Sequence, residues 1–433
     1  MTTSAPARFD DRPPAEQQRR ILTVLVAAQA LSGAGLAAGV TVGALLAQDM
    51  FGSTSFAGLP GALGTAGSAL AAIAVGRISQ ARGRRPGLVA GYLTGAVGCA
   101  GVIAAAVAAN PVLLFLAIFV YGAGSSTNLQ ARYAGADLAD PAHRARAVST
   151  VLVATTLGGV IGPNLTAPTS GLAHAIGIPH LAGPFLLAGV AYALAAVVLG
   201  VWLRPDPLLL ARIRAAEHSA TAADDVPHPA VETRGSDVLI GTLIMVLAQL
   251  VMVAIMTMTP VHMHDHGHGG AATGLVIAIH IGAMYLPSPL TGWLVDRCGR
   301  YPVAAASGLT LLAAGIVAAS APFDSIAPLA VALALLGIGW NLGLVTGSAL
   351  ITDAVPLATR AKTQGLIDVA MAVAGAAGSM ASGYLVAAAG FPVLSIGGGI
   401  LALGMVPAVA FAARQAAMTS RRERPDTLDP DTV

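Results

Sequence analysis

"GRISQARGRRP" (76–86) and "GWLVDRCGRYP" (292–302) are two versions of one pattern, 216 residues apart. Gly76 matches Gly292, Gly83 matches Gly299, Arg84 matches Arg300, and both stretches end on proline. A second pair keeps the same offset. "DLADPAHRAR" from Asp137 and "DAVPLATRAK" from Asp353 each set an arginine seven residues beyond the aspartate and a basic residue two further on. Two coincidences at one offset predict an internal duplication whose halves run in the same orientation.

What each half contains follows from the apolar sequence around these turns. The chain has 433 residues, 55% hydrophobic and only 10% charged, and a mean hydropathy of +0.75, which lies outside the range of water-soluble domains. A helix needs ~20 apolar residues to cross ~30 Å of hydrocarbon. Such runs occur at 21–46, 57–77, 86–108, 111–133, 147–168, 182–203, 238–260, 272–294, 302–321, 326–351, 364–388 and 391–413. The expected fold is therefore an all-α integral membrane protein, with twelve transmembrane helices in two six-helix parallel-repeat bundles. Residues 1–20 form an N-terminal tail, 21–203 the first bundle, 204–237 a polar linker, 238–413 the second bundle and 414–433 a C-terminal tail.

Orientation follows from the basic residues, which are retained on the cytoplasmic side of span ends. All 23 Lys and Arg fall before span 1, in or after the ends of spans 2, 4, 6, 8 and 10, or in the C-terminal tail. Both termini are thus expected in the cytoplasm, with the chain multi-pass in the cytoplasmic (inner) membrane of a bacterium. No cleavable signal is expected, because the first apolar run is too long. Cys99 lies in a span and Cys298 in a cytoplasmic loop, so no disulfide joins them. The net charge of +2 records topology and predicts no nucleic-acid partner. No G-x-x-x-x-G-K-[ST] phosphate loop is present, which disfavours a directly ATP-driven pump. No nucleophile–base constellation can be read, so no catalytic residue and no cofactor are expected.

The loop after span 8, with Gly292, Asp296, Arg297, Gly299 and Arg300 in the pattern G-x-x-x-D-R-x-G-R, resembles the signature of the major facilitator superfamily. The echo after span 2 carries Gly76, Gly83 and Arg84. The resemblance implies two bundles around a central cavity and alternating access by rocking of one against the other. Such a loop lets two helix ends approach, and its aspartate can latch a face shut by pairing with an arginine or a helix N-terminus. The first copy departs from the pattern, with Gln80 and Ala81 where the second has Asp296 and Arg297. A charged latch is accordingly expected of the second half.

Polar and soft residues within spans bear on the cargo. Span 7 carries Met252 and Met256, and span 8 carries His280 and Met284. Each pair is spaced i, i+4 and shares one helix face. With a rise of ~1.5 Å per residue, Met256 lies ~6 Å below the outer surface, Met252 and His280 ~12 Å, and Met284 ~18 Å. If spans 7 and 8 are antiparallel neighbours, three thioethers and an imidazole make a descending ladder. Thioethers hold Cu(I) and discriminate against hard ions. Methionine is also an ordinary gap-filler in helix packing, and a lone histidine can simply bond a neighbouring helix. The double motif M-x-x-x-M and H-x-x-x-M, with 24 residues from Met256 to His280, is similar to that of the CcoA-like copper importers. That resemblance implies copper import for assembly of haem–copper oxidase, with Met252, Met256, His280 and Met284 as metal ligands. Relatives of that family include riboflavin transporters.

Between these spans, "HMHDHGH" places His262, His264, His266 and His268 at alternate positions in an outer loop. Imidazoles so spaced can capture Cu(II), Cu(I) or Zn(II) at the entrance, sense pH, or meet only water and headgroups. Gln29, Asn128, Arg132, Trp340 and Asn341 suit a cavity lining or helix packing, with Arg132 near the cytoplasmic end. The sequence thus predicts a secondary transporter, expected as a monomer in the lipid bilayer, whose partner is a copper ion or a small molecule. The alternatives are riboflavin-like uptake, proton-coupled drug efflux, or a copper sensor or assembly factor that translocates nothing.

Overall fold

The computed structural model describes residues 13–51, 59–222, 235–322 and 325–411. Residues 1–12, 223–234 and 412–433 of the expected tails and linker lie outside the described residues. The described residues contain no strand. Twelve principal helices follow one another: α1 (Pro14–Phe51), α2 (Leu59–Arg82), α3 (Arg84–Val107), α4 (Pro111–Ala136), α5 (Arg144–Asn164), α6 (Gly183–Trp202), α7 (Gly235–Asp265), α8 (Gly270–Tyr285), α9 (Arg300–Ala319), α10 (Ile326–Ala354), α11 (Arg360–Ala389) and α12 (Phe391–Ala402). Shorter helices follow α5 (Thr166–Ala175), α6 (Pro207–Ala222) and α8 (Ser288–Cys298). Among the described residues, ten helical stretches are long and apolar enough to cross a membrane. The other two expected spans, α1 and α5, are also helical.

The chain divides into two compact units. The first comprises Met1–Pro141, Thr150–Ala230 and Leu357–Gly365, and the second comprises Ala142–Ser149, Val231–Pro356 and Leu366–Val433. Each half repeats one packing scheme. In the first, α4 packs against α1, α2 and α3, and α6 packs against α1 and α3. In the second, α10 packs against α7, α8 and α9, and α12 packs against α7 and α9. Small residues make the close crossings possible, as they must where lipid supplies no hydrophobic drive between helices.

Two boundaries differ from the sequence reading for identifiable reasons. The apolar run of span 7 ends at residue 260, yet α7 continues through Pro260 to Asp265. Span 8 is broken instead. It pauses at Leu286 and Pro287 before resuming at Ser288, because Pro287 has no N–H to bond the preceding turn. Asn341 of α10 compensates by donating to the carbonyl oxygen of Met284 at 2.7 Å. Non-helical backbone in a membrane protein requires such a partner.

The tightest described crossing of α2 and α4 tests this packing account. A Cβ at Gly67 would lie 1.8 Å from the carbonyl oxygen of Phe119, whereas one at Gly61, in the same helix, would meet nothing within 4 Å. We expect Gly67→Ala to destabilise the detergent-solubilised protein by about 1–3 kcal/mol, read as a lower thermal unfolding midpoint. Gly61→Ala should leave the midpoint unchanged or raise it slightly.

Candidate functional site

The two repeated turns are built on glycine. Gly83 and Gly299 have φ of +98° and +91°, in the region that side chains with a Cβ rarely adopt, and they place Arg84 and Arg300 at the first positions of α3 and α9. In the first unit Arg84 is buried and grips Asp137 through both nitrogens, Nε–Oδ2 at 2.7 Å and Nη2–Oδ1 at 3.2 Å. Its Nη2 also donates to Gln364 Oε1 at 2.5 Å. In the second unit Arg300 donates to Asp353 at 3.1 Å, and Arg144 reaches the other oxygen of the same carboxylate at 2.5 Å.

The departure at Gln80 and Ala81, which put a charged latch in the first half in doubt, does not leave that half without an ion pair. The Arg84–Asp137 salt bridge is the more buried of the two (side-chain exposure 1% and 0%). The departure at Gln80 is compensated by the amide itself. Asp296 accepts from the backbone N–H groups of Ala145 and Arg146 at 3.2 and 3.0 Å. Gln80 does the same for Ala361 and Lys362 at 2.8 and 3.3 Å. These are the residues at the 216 offset. Each acceptor satisfies first-turn N–H groups that no helix can pair for itself. An amide can also donate, and Gln80 Nε2 bonds the carbonyl oxygens of Leu357 and Ala358 at 3.2 and 2.5 Å, which a carboxylate cannot do. Arg297 lies over the ring of Trp293 at 5.3 Å. Gly76 and Gly292 admit neighbouring backbone: a Cβ there would lie 2.9 Å from Ala361 O and 2.8 Å from Ala145 O respectively.

Of the five residues suggested for a cavity or for helix packing, Gln29, Asn128 and Asn341 bond to other helices. Gln29 Nε2 donates to Asn128 O and Thr155 Oγ1, and Tyr92 donates to Gln29 Oε1. Asn128 Nδ2 donates to Ser32 Oγ at 2.8 Å, which closes a buried network joining α1, α3, α4 and α5. Arg132 is buried, stacks over the ring of Tyr133 at 4.1 Å and donates to its hydroxyl. Asn341, besides bonding Met284 O, donates to Ser288 Oγ and accepts from Thr291 Oγ1. Trp340 differs in its surroundings. Its Nε1 donates to Gln249 of α7 at 2.7 Å, and its ring meets Tyr285 of α8 edge-on at 5.8 Å.

Histidine 280 is bonded at one of its two ring nitrogens. It is fully buried, and its Nδ1 lies 2.8 Å from the carbonyl oxygen of Leu333 in α10. Because that oxygen can only accept, Nδ1 carries the proton and Nε2 presents its lone pair. Nε2 is buried and has no hydrogen-bond partner among the described residues, an arrangement that costs about 1–3 kcal/mol. Met284, one turn on, is buried as well, as is Met252 of α7, whereas Met256 is half-buried. The main neighbour of α8 is α10, where Gly337 admits the backbone of His280 and Met284. Contacts between α7 and α8 are sparse, and both helices pack against α10.

The alternate histidines do not form the open loop expected of them. His262 and His264 belong to α7, which ends at Asp265. Helical geometry brings His262 and His266 together, with ring centroids 4.4 Å apart. Among the described residues, no group of three or more His, Cys, Asp or Glu is placed to hold a metal ion; thioether donors fall outside that set.

Comparison with known proteins converges on one family. The Major Facilitator Superfamily model matches residues 22–284 and 238–430. The chain is 51% identical over 407 residues to the uncharacterized MFS-type transporter YddS of Bacillus subtilis, covering 93% of each protein. It is 31% identical over 399 residues to the riboflavin transporter RfnT of Brucella anthropi, covering 90% of this chain and 95% of that one. The human organic anion transporter MFSD10 shares the fold, with a TM-score of 0.72 at 16% identity over 92% of this chain and all of that one.

The buried Arg84–Asp137 pair generates a prediction. Arg84→Met strands a carboxylate whose remaining basic neighbour, Arg360, is 4.0 Å away, and should cost about 3–5 kcal/mol of stability. The double variant Arg84→Met/Asp137→Leu should recover most of that loss in thermal unfolding.

Proposed function

The chain belongs to the major facilitator superfamily of secondary transporters, and from that premise we propose that its cargo is copper, taken up towards the cytoplasm and read by His280. Membership makes it a multi-pass membrane transporter and not an enzyme. The observation that carries the cargo reading is the state of His280, with Nδ1–H bonded to a backbone carbonyl and Nε2 left as a buried, unpartnered lone pair. Metal-binding histidines characteristically donate their second ring nitrogen in this way, which fixes the tautomer and raises ligand basicity. Met284, at i+4 and buried, adds a soft donor that needs no deprotonation. The methionines of α7, Met252 and Met256, are the candidate donors for the preceding step. Deep sites for a metal in transit must bind weakly enough to release it.

The mechanism follows the family's alternating access. The latches of residues 76–86 and 292–302 lie, on the charge pattern, at the cytoplasmic side. Opening that side requires Leu357–Gly365 to leave Gln80 and Arg84, and Ala142–Ser149 to leave Asp296. Backbone N–H groups freed in this step are taken up by water.

A second reading rests on a specific likeness: RfnT is a riboflavin transporter, and Trp340, Tyr285 and Gln249 form an aromatic and amide group of the kind that holds a flat organic solute. In that reading His280 Nε2 accepts a hydrogen bond from the solute.

One experiment separates the two. Cells expressing the chain, His280→Gln or Met284→Leu at equal membrane abundance are assayed for accumulation of copper and of riboflavin. Copper reading: chain-dependent copper accumulation falls roughly tenfold or more in His280→Gln, falls less in Met284→Leu, and riboflavin uptake does not depend on the chain. Chain-dependent riboflavin uptake with copper unaffected would reject the proposal in favour of the organic solute.

A further inference from the structure

We propose that His262 and His266 form a two-nitrogen site for a borderline divalent cation, Cu(II), Ni(II) or Zn(II), at the Asp265 end of α7, whatever solute the chain carries. Four observations converge on this pair. The spacing is i, i+4 at a helix end, the arrangement by which two imidazoles of one helix face bind a single ion, and the rings are already adjacent at 4.4 Å between centroids.

The second observation is the tautomer of His266. Its Nδ1 lies 2.7 Å from the carbonyl oxygen of His262, so Nδ1 is the donor and Nε2 is the ligating nitrogen, with the backbone as the orienting partner.

The third is the fixed ring of His262. It lies flat on Phe391 at the start of α12, 4.3 Å between centroids and 13° between planes, and Phe391 is itself buried. A ring held by stacking has little rotamer freedom left to lose when it binds.

The fourth is how the helix ends. Gly267, with φ of +80°, terminates it: Gly267 N bonds His264 O and His268 N bonds Met263 O, the double bond pattern of a Schellman end. That fixes His266 at the C-cap, directly after the last helical residue and beside the negative end of the helix dipole, which favours a cation. Asp265 and His268 lie close enough to act electrostatically on His262, and the carboxylate adds to the attraction. His264 projects from another face of the helix and is not a ligand. Two protein nitrogens leave the remaining coordination positions to water, so the ion exchanges readily with the solution, and imidazole donors suit Cu(II), Ni(II) and Zn(II) over hard ions.

The test uses the purified full-length chain in detergent and Cu(II)–iminodiacetate, which leaves two cis positions for paired imidazoles. Electron paramagnetic resonance should report one equivalent bound through two nitrogens. His266→Ala, at an exposed position where folding is safe, and His262→Ala should each weaken binding about tenfold or more and leave a one-nitrogen spectrum. His264→Ala should bind like the unaltered chain. Retention of the two-nitrogen signal at unchanged strength in both His266→Ala and His262→Ala would overturn the proposal, as would an unaltered chain that binds no more tightly than the double variant.

Discussion

A helix cannot satisfy the N–H groups of its own first turn, and a chain built of membrane helices has many first turns to satisfy. Here the starts of α5 and α11 are met by side chains from elsewhere in the sequence, Asp296 for Ala145 and Arg146, Gln80 for Ala361 and Lys362. The glycine turns at Gly83 and Gly299 bring those acceptors into place and also launch Arg84 and Arg300 onto their carboxylates. One constraint on backbone polarity therefore accounts for the glycines, the acceptors and the ion pairs, and for why all of them recur at one offset.

The same rule applies to the polar side chains within the helices. Gln29, Asn128 and Asn341 sit in the membrane region with their hydrogen-bonding groups bonded to other helices, and the energy of those bonds is what permits polar side chains there. His280 has half of that satisfaction. Its Nε2 is one of several buried polar atoms that find no partner among the described residues, and among them it is the imidazole nitrogen.

Much of this was legible in sequence. Apolar runs gave the helices, and the pairs Gly76/Gly292 and Asp137/Asp353 gave the duplication, because both signals depend on spacing alone. The role of Gln80 was not legible: comparison with Asp296 suggests a lost charge, whereas hydrogen-bond capacity is what the position requires, and the charge sits at Asp137. Nor could spacing assign Gln29 or Asn341 to packing, since partners such as Thr155 and Thr291 lie far away in the chain. The histidine stretch misled because the apolar run of span 7 stops at residue 260, before the histidines. With α7 continuing to Asp265, a period of two becomes a period of 3.6, and His262 is paired with His266 instead of with His264.

The exchange of carboxylate for amide between Asp296 and Gln80 breaks the electrical symmetry of an otherwise repeated design. Attraction between Asp296, its half-exposed partner Arg146 and the dipole of α5 weakens as dissolved ions accumulate. The four side-chain hydrogen bonds of Gln80 involve no net charge and are nearly indifferent to ionic strength. Two helix starts of equal geometry are thus held by forces with different dependence on the surrounding electrolyte, and the relative ease of releasing them is set by the medium as well as by the fold.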